Sequence, residues 1–228
     1  MPMRRVDSGP VPRPLKLPRE FYDRPTLVVA RGLLGKVLVH RRQGVVASGM
    51  IVEVEAYIGE SDPACHAAPG RTRRNEPLYG PPGFAYVYLN YGLHCLVNVV
   101  TEAEDSPAAV LIRALDPLEG VAAMRRRRAR ARAERRRGAL ALLPPHALCR
   151  GPGNLTIAMG IGLGENRLDL LGDRLFLEDR RLPVGPIVWG PRIGIAVGTR
   201  HPWRASIAGH PAVSAARRLT SAAEGSTS

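Results

Sequence analysis

The stretch Ile51-Val52-Glu53-Val54-Glu55-Ala56-Tyr57 sets two carboxylates and a phenol into an otherwise apolar run. With the side-chain period of two that a strand imposes, Glu53, Glu55 and Tyr57 share one face and Val52, Val54 and Ala56 the other. Two readings are open: a polar face turned to solvent, as in an ordinary half-buried strand, or a general base beside an aromatic platform. Arg113, in VLIRAL, is flanked by apolar residues. An arginine there either snorkels to the surface or is buried against a carboxylate, because an unpaired buried charge is prohibitive. A Glu55–Arg113 pair would keep Glu55 ionised and able to position a water. Asn98 in LVNVV is a further polar residue in an apolar strand, where a satisfied structural amide is the ordinary explanation.

Aromatic placement adds to this. Of six tyrosines, five (Tyr57, Tyr79, Tyr86, Tyr88, Tyr91) fall between positions 57 and 91, in a chain of net charge +13. Tyrosines clustered in a basic protein suit stacking on nucleobases, as well as the plainer role of a core aromatic cluster. Tyr91 lies in the Asn90-Tyr91-Gly92 break, from which it could project as a wedge. The charge favours a polyanionic partner, although an arginine-rich composition would raise it without any function. Cys65-His66 and His94-Cys95 raise a mixed metal site, but strand neighbours point to opposite faces and CxxC spacing is missing. There is also no Walker loop, GxSxG elbow or Gly-rich dinucleotide fingerprint. Neither a metal nor another cofactor is expected.

Residues 1–18 carry five prolines and form a flexible arm; a helix begins near Pro18 and PTLVVARGLLG is helical to Gly35. KVLVHR and VVASGMIVEVEAYIG are strands joined at Gln43-Gly44, and a Gly/Pro-rich loop follows from Gly59 to Gly83. FAYVYLNYGLHCLVNVV and AAVLIRAL supply further strands. The run MRRRRARARAERRR continues a helix from Leu118, charged around most of its circumference; it is more often a solvated face than a specific reader, and Arg125–Arg137 would also suit nonspecific phosphate contact. ALCRGPGNLTIAMGIG is a turn and short helix; RLFLED, PIVWGPRIGIAVG and RASIAG are the last strands, and residues 215–228 form a flexible tail. Strands and helices do not alternate regularly, so a single α+β domain over residues 19–214 is expected. Three cysteines leave an odd thiol, which fits a reducing compartment. No apolar run approaches the roughly 20 residues of a membrane span and no secretory signal is seen, so a cytoplasmic chain without a membrane partner is expected.

IVEVEAYIG, DPACHA, GFAYVYLNYGLHCLVNVV, VLIRALDPLEG and CRGPGNL, in that order, closely resemble the alkyladenine (3-methyladenine) DNA glycosylase family, in the form of a bacterial member. The resemblance runs from about Arg19 to Ser214. It implies one compact mixed domain on a curved antiparallel β-sheet, and a monomer acting in base excision repair on double-stranded DNA that contains a damaged purine. It further implies that Glu55 is the general base activating a water for attack at C1′, with Arg113 and the main-chain carbonyl of Ile207 holding that water. Tyr57 and Tyr88 would sandwich the extruded base, His66 line the pocket, Asn98 reject guanine and Tyr91 fill the gap in the duplex. The competing reading is a noncatalytic nucleic-acid-binding module on the same fold. It has no use for Glu55 facing Arg113 in a pocket, so burial and proximity of that pair separate the two.

Overall fold

Alternation along the longest strand organises the molecule. The structure, a computed structural model, describes residues 15–134 and 143–214. In chain order the elements are β1 (Leu15–Lys16), α1 (Arg19–Tyr22), α2 (Thr26–Leu33), β2 (Val37–Arg42), β3 (Val45–Ile58), β4 (Ala85–Asn90), β5 (His94–Val100), β6 (Ala108–Glu119), α3 (Val121–Glu134), α4 (Pro152–Met159), β7 (Leu175–Asp179), β8 (Ile187–Gly190) and β9 (Arg204–Ile207). Val52, Val54 and Ala56 of β3 join Val110, Ile112 and Ala114 of β6 in the main core, together with Val29, Ala30 and Leu33 of α2 and Leu155, Ala158 and Met159 of α4. Tyr86, Ala109 and Val100 belong to a second cluster, against which Tyr57 and Tyr88 pack. Apolar positions of one parity thus bury against helices, and the other parity is free to build a site.

The sheet is open and runs β1-β7-β2-β3-β6-β5-β4, with every pairing antiparallel. This is the expected α+β single domain on an antiparallel sheet. On one edge of β3, β2 pairs with residues 45–50 and β9 then takes over opposite residues 53–55, while β6 covers the other edge from Ser48 to Ile58. The register between β3 and β6 shifts around Ile51, Glu53 and Val54, a bulge of the kind that re-aims side chains. Glu53 and Glu55 are therefore flanked by strands on both sides at the point where the pairing is irregular.

Several segments depart from the sequence expectation. The helix from Pro18 to Gly35 is two helices, because Pro25 caps α2 and disfavours helical geometry in the residue before it. Leu15 and Lys16, read as part of the arm, pair with Asp179 and Glu178; residues 1–14 and the 215–228 tail lie outside the described residues. PIVWGPRIGIAVG is a strand only over Ile187–Gly190. Pro191 offers no N–H to a ladder, and Gly194 and Gly198 adopt φ of 79° and 63°, so the remainder is a loop. The arginine helix is less solvated than its composition implies. Arg128 is buried, and Arg127 Nη1 donates to the Ala158 carbonyl at 3.0 Å, placing a cation at the C-terminus of α4, where the helix dipole favours it. Arg135–Arg137 of that run lie outside the described residues. Among the described residues no helix is long and apolar enough to cross a membrane.

Candidate active site

The strand register lays a row of side chains across the sheet: Tyr86 on β4 opposes Asn98 on β5, Asn98 opposes Leu111 on β6, Leu111 opposes Glu55 on β3, and Glu55 opposes Arg204 on β9. Glu53 and Glu55 are both fully buried, which rules out the solvent-facing strand face. Arg113 Nη1 donates to Glu55 Oε2 at 3.1 Å and its Nε to Glu53 Oε1 at 3.3 Å. The Tyr57 hydroxyl donates to Glu55 Oε2 at 2.9 Å and the Ile193 N–H to Oε1 at 2.7 Å. Glu53 also accepts Arg204 Nη1 at 3.0 Å, the Ser214 N–H at 2.8 Å and the Ser214 hydroxyl. Two carboxylates and two guanidinium groups balance one another where a single charge would be prohibitive.

Burial pushes the Glu55 carboxyl above the usual glutamate range, although Arg113, the Ile193 N–H and the Tyr57 hydroxyl each pull it down. A buried carboxylate with raised affinity for protons and fixed donors has the chemistry to accept a proton from a neighbouring group. Burial, followed by the negative Glu55 beside it, drives the Tyr57 hydroxyl far above the tyrosine range, so it stays protonated and can donate to Glu55.

Above this network lies a cavity of about 550 Å³ lined by Tyr57, His66, Tyr88, Tyr91, Asn98 and Arg113, with Ile193 to Val197 forming one wall. Its size falls within the roughly 300–1,000 Å³ typical of small-ligand sites. His66 meets Tyr88 edge-on with ring centroids 4.4 Å apart, and its Nδ1 lies 2.9 Å from the Tyr86 hydroxyl. Burial, with the Arg74 charge, lowers the His66 pKa below its ordinary value of 6.5, so the ring is neutral at physiological pH. Asn75 holds the loop carrying His66, donating to the His66 and Gly70 carbonyls at 2.7 and 2.8 Å. Asn98 Nδ2 donates to the Tyr86 carbonyl at 3.0 Å, which fixes its amide while it lines the cavity. Tyr91 stands at the cavity rim with 85% of its surface exposed. It heads the β4–β5 turn, where Tyr91 and Gly92 both take positive φ (48° and 66°) and the Leu93 N–H closes on the Asn90 carbonyl.

Seven of the eight residues singled out from the sequence therefore converge on one place. Ile207 does not. It pairs with Ile187 at the far side of β9, its carbonyl accepts the His210 N–H, and it is absent from the cavity lining. The main-chain group that reaches Glu55 belongs to Ile193. Glu53, Arg204 and Ile193 were not identified from sequence: Glu53 shares the face of Glu55, which was a usable signal, but a main-chain N–H in a loop has none. Among the described residues no cluster of three His, Cys, Asp or Glu side chains could hold a metal ion.

The model of the methylpurine-DNA glycosylase (MPG) family matches residues 20–211. The chain is 44% identical over 204 residues to a protein of Chlorobaculum parvum, covering 89% of this chain and 92% of the relative. It is 43% identical to a relative from Burkholderia lata over 93% of this chain and 97% of that one, and 46% identical to one from Methanocella arvoryzae over 87% and 95%. All three carry the name "Putative 3-methyladenine DNA glycosylase".

Proposed function

Since this chain belongs to the methylpurine-DNA glycosylase family, we propose that it is a monofunctional DNA glycosylase that extrudes an alkylated or deaminated purine from duplex DNA and hydrolyses its N-glycosidic bond. The observation that carries the reading is the fully buried Glu55 held by Arg113, Tyr57 and Ile193 beneath an aromatic cavity. A noncatalytic DNA-binding module would need the tyrosines and the charge but not this carboxylate.

The three donors occupy three of the roughly four acceptor positions of a carboxylate, and we assign the fourth, on Oε1, to the attacking water. Glu55 takes a proton from that water as its oxygen bonds to C1′, and the purine departs with the electron pair of the glycosidic bond, leaving an abasic site. A purine methylated at N3 or N7 already carries positive charge, so it leaves without protonation, whereas a neutral lesion such as hypoxanthine needs a proton from solvent on its leaving nitrogen. The Tyr57 and Tyr88 rings attract such a cation by their faces, and a neutral His66 does not repel it. Extrusion costs a few kcal/mol, least for a damaged pair, and Tyr91 would fill the gap in the stack. Asn98, its amide fixed by the Tyr86 carbonyl, would exclude the exocyclic amine of guanine. The Glu55 network is built within one chain, so the proposed chemistry requires no second copy.

The test is single-turnover base release from duplexes carrying hypoxanthine, ethenoadenine or methylated purines, with borohydride present in a parallel reaction. Release that leaves an intact strand with an abasic site, and no protein–DNA adduct, is expected. A borohydride-trapped adduct would make the enzyme a lyase with an amine nucleophile, and release from no duplex would return the chain to the binding-module reading.

A further inference from the structure

Asp62 and Arg192 form an ion pair whose two side chains are both fully excluded from solvent. Arg192 Nη1 and Nη2 reach Asp62 Oδ2 and Oδ1 at 2.5 and 2.7 Å, and Nη1 also donates to the Ala56 carbonyl at 3.0 Å. The guanidinium lies 4.7 Å from the centroid of the Tyr57 ring and 5.1 Å from that of Trp203. Buried pairs are often replaceable by apolar residues without loss of stability, so stability alone is a weak reason for one here. What the pair connects is more informative. Asp62 accepts the Ile58 and Ala64 N–H groups at 3.2 and 3.1 Å, at the start of the loop whose residues 63–66 line one cavity wall. Arg192 directly precedes Ile193, whose N–H sits on Glu55 and which begins the opposite wall. Gly198 closes that wall at φ +63°, where a Cβ would approach Arg192 Nη2 to 3.0 Å and Asp62 Oδ1 to 3.3 Å.

We propose that Asp62 and Arg192 are positioning residues for the reaction: their bidentate pair ties the two loop walls together and, through the neighbouring Ile193 N–H, fixes Glu55 in its ionised form. The inference rests on the glycosylase reading above. The charged and titratable groups facing Glu55 are Glu53 and Tyr57 on its own strand, Arg113 from β6, Tyr88 from β4, Arg204 opposite it on β9, and Arg192 itself. Of the three donors to Glu55, only the Ile193 N–H belongs to the loop that the ion pair secures; Arg204, which faces Glu55 from β9, also donates its Nε to the Pro191 carbonyl of that loop at 2.9 Å. Loosening that loop removes a donor to the carboxylate, which raises its proton affinity. Lysine at 192 keeps the charge but not the fork, and asparagine at 62 keeps the shape but not the charge.

The experiment is single-turnover base release from dimethyl-sulfate-treated duplex DNA as a function of pH, for wild type, Arg192→Lys, Asp62→Asn and Gly198→Ala. Methylated purines carry their charge already, so the acidic limb reports the general base alone. A hydrogen bond to a charged group is worth enough to move that limb up by about one pH unit when lost. We expect such a shift in Arg192→Lys and Asp62→Asn, with the rate recovering at higher pH and binding to undamaged duplex unchanged. Gly198→Ala presses a methyl group on the pair from the other side and gives the same shift should either charge variant fail to fold. A rate lowered equally at every pH, or not lowered at all, with the limb in place in the folded variants, overturns the positioning role while leaving the glycosylase intact. A wild type that releases no base overturns the functional reading and this inference with it.

Discussion

Three donors hold ionised Glu55 inside the protein, yet burial outweighs them and its carboxyl titrates above the usual glutamate range. A carboxyl whose folded pKa exceeds its unfolded one contributes stability at pH below the unfolded value and loses it as pH rises through the folded value. Glu55→Gln removes that titration. The variant also loses the charge partner of Arg113, so its stability relative to wild type is expected to depend on pH, shifting in favour of Glu55→Gln as pH rises through the Glu55 pKa. Thermal melts across pH check this; a stability difference that does not change with pH contradicts the raised proton affinity of Glu55. Glu53→Gln should behave differently, because Glu53 accepts from Arg113, Arg204 and Ser214. Breaking a buried pair from one side costs about 3–5 kcal/mol, which chemical denaturation would read. At this scale Glu55 and Arg113 were legible in the sequence because charge stands out in an apolar strand. Ile193 was not, since its contribution is an N–H that every residue but proline carries.

Glycines and turns set the geometry of the elements around the cavity. Pro152, at the start of α4, lines the cavity, and Gly153 beside it packs on His94 at the start of β5, where a Cβ would come within 2.8 Å of the ring. Alanine in a helix gains about 1 kcal/mol over glycine. Overpacking a rigid contact costs about 1–3 kcal/mol, and the atoms met are the base of the ring and the His94 Cβ, so the clash wins. Gly153→Ala should lower stability by about 1 kcal/mol net and weaken lesion binding through the adjoining Tyr91 turn. Tyr91→Ala removes an exposed ring in a strained backbone position. It should leave stability untouched and weaken binding to a lesion duplex by about 1–3 kcal/mol, the worth of one stacked base; titration of both duplex types decides it. The break at Tyr91-Gly92 and the central strands were readable from alternation. The loop over 191–198 was not, because PIVWGPRIGIAVG has the apolar content of a strand and only the proline and two left-handed glycines betray it.

Over the whole molecule the dominant property is the net charge of +13. Binding to DNA should weaken steeply with salt, by a log–log slope of about 0.9 for each phosphate contacted. Arg74 lines the groove beside Tyr91 and exposed Arg73 precedes it in the chain, and replacing both by glutamine should reduce that slope. The same measurement on Arg126→Gln with Arg130→Gln tests the arginine helix, whose remaining side chains are partly committed to internal contacts; a slope unchanged there removes the helix from the interface. The architecture as a whole was legible because an irregular order of strands and helices excludes a doubly wound sheet. How β9 replaces β2 along β3 was not, because pairing between segments some 150 residues apart leaves no local pattern. The most direct test of the account compares wild type with Glu55→Gln in single-turnover base release from a lesion-bearing duplex, with binding to the same duplex measured alongside. Loss of a general base should slow release by about 10²–10⁴-fold while lesion binding persists. Release at the wild-type rate by a folded Glu55→Gln protein would contradict the assignment of Glu55 as the group that activates water.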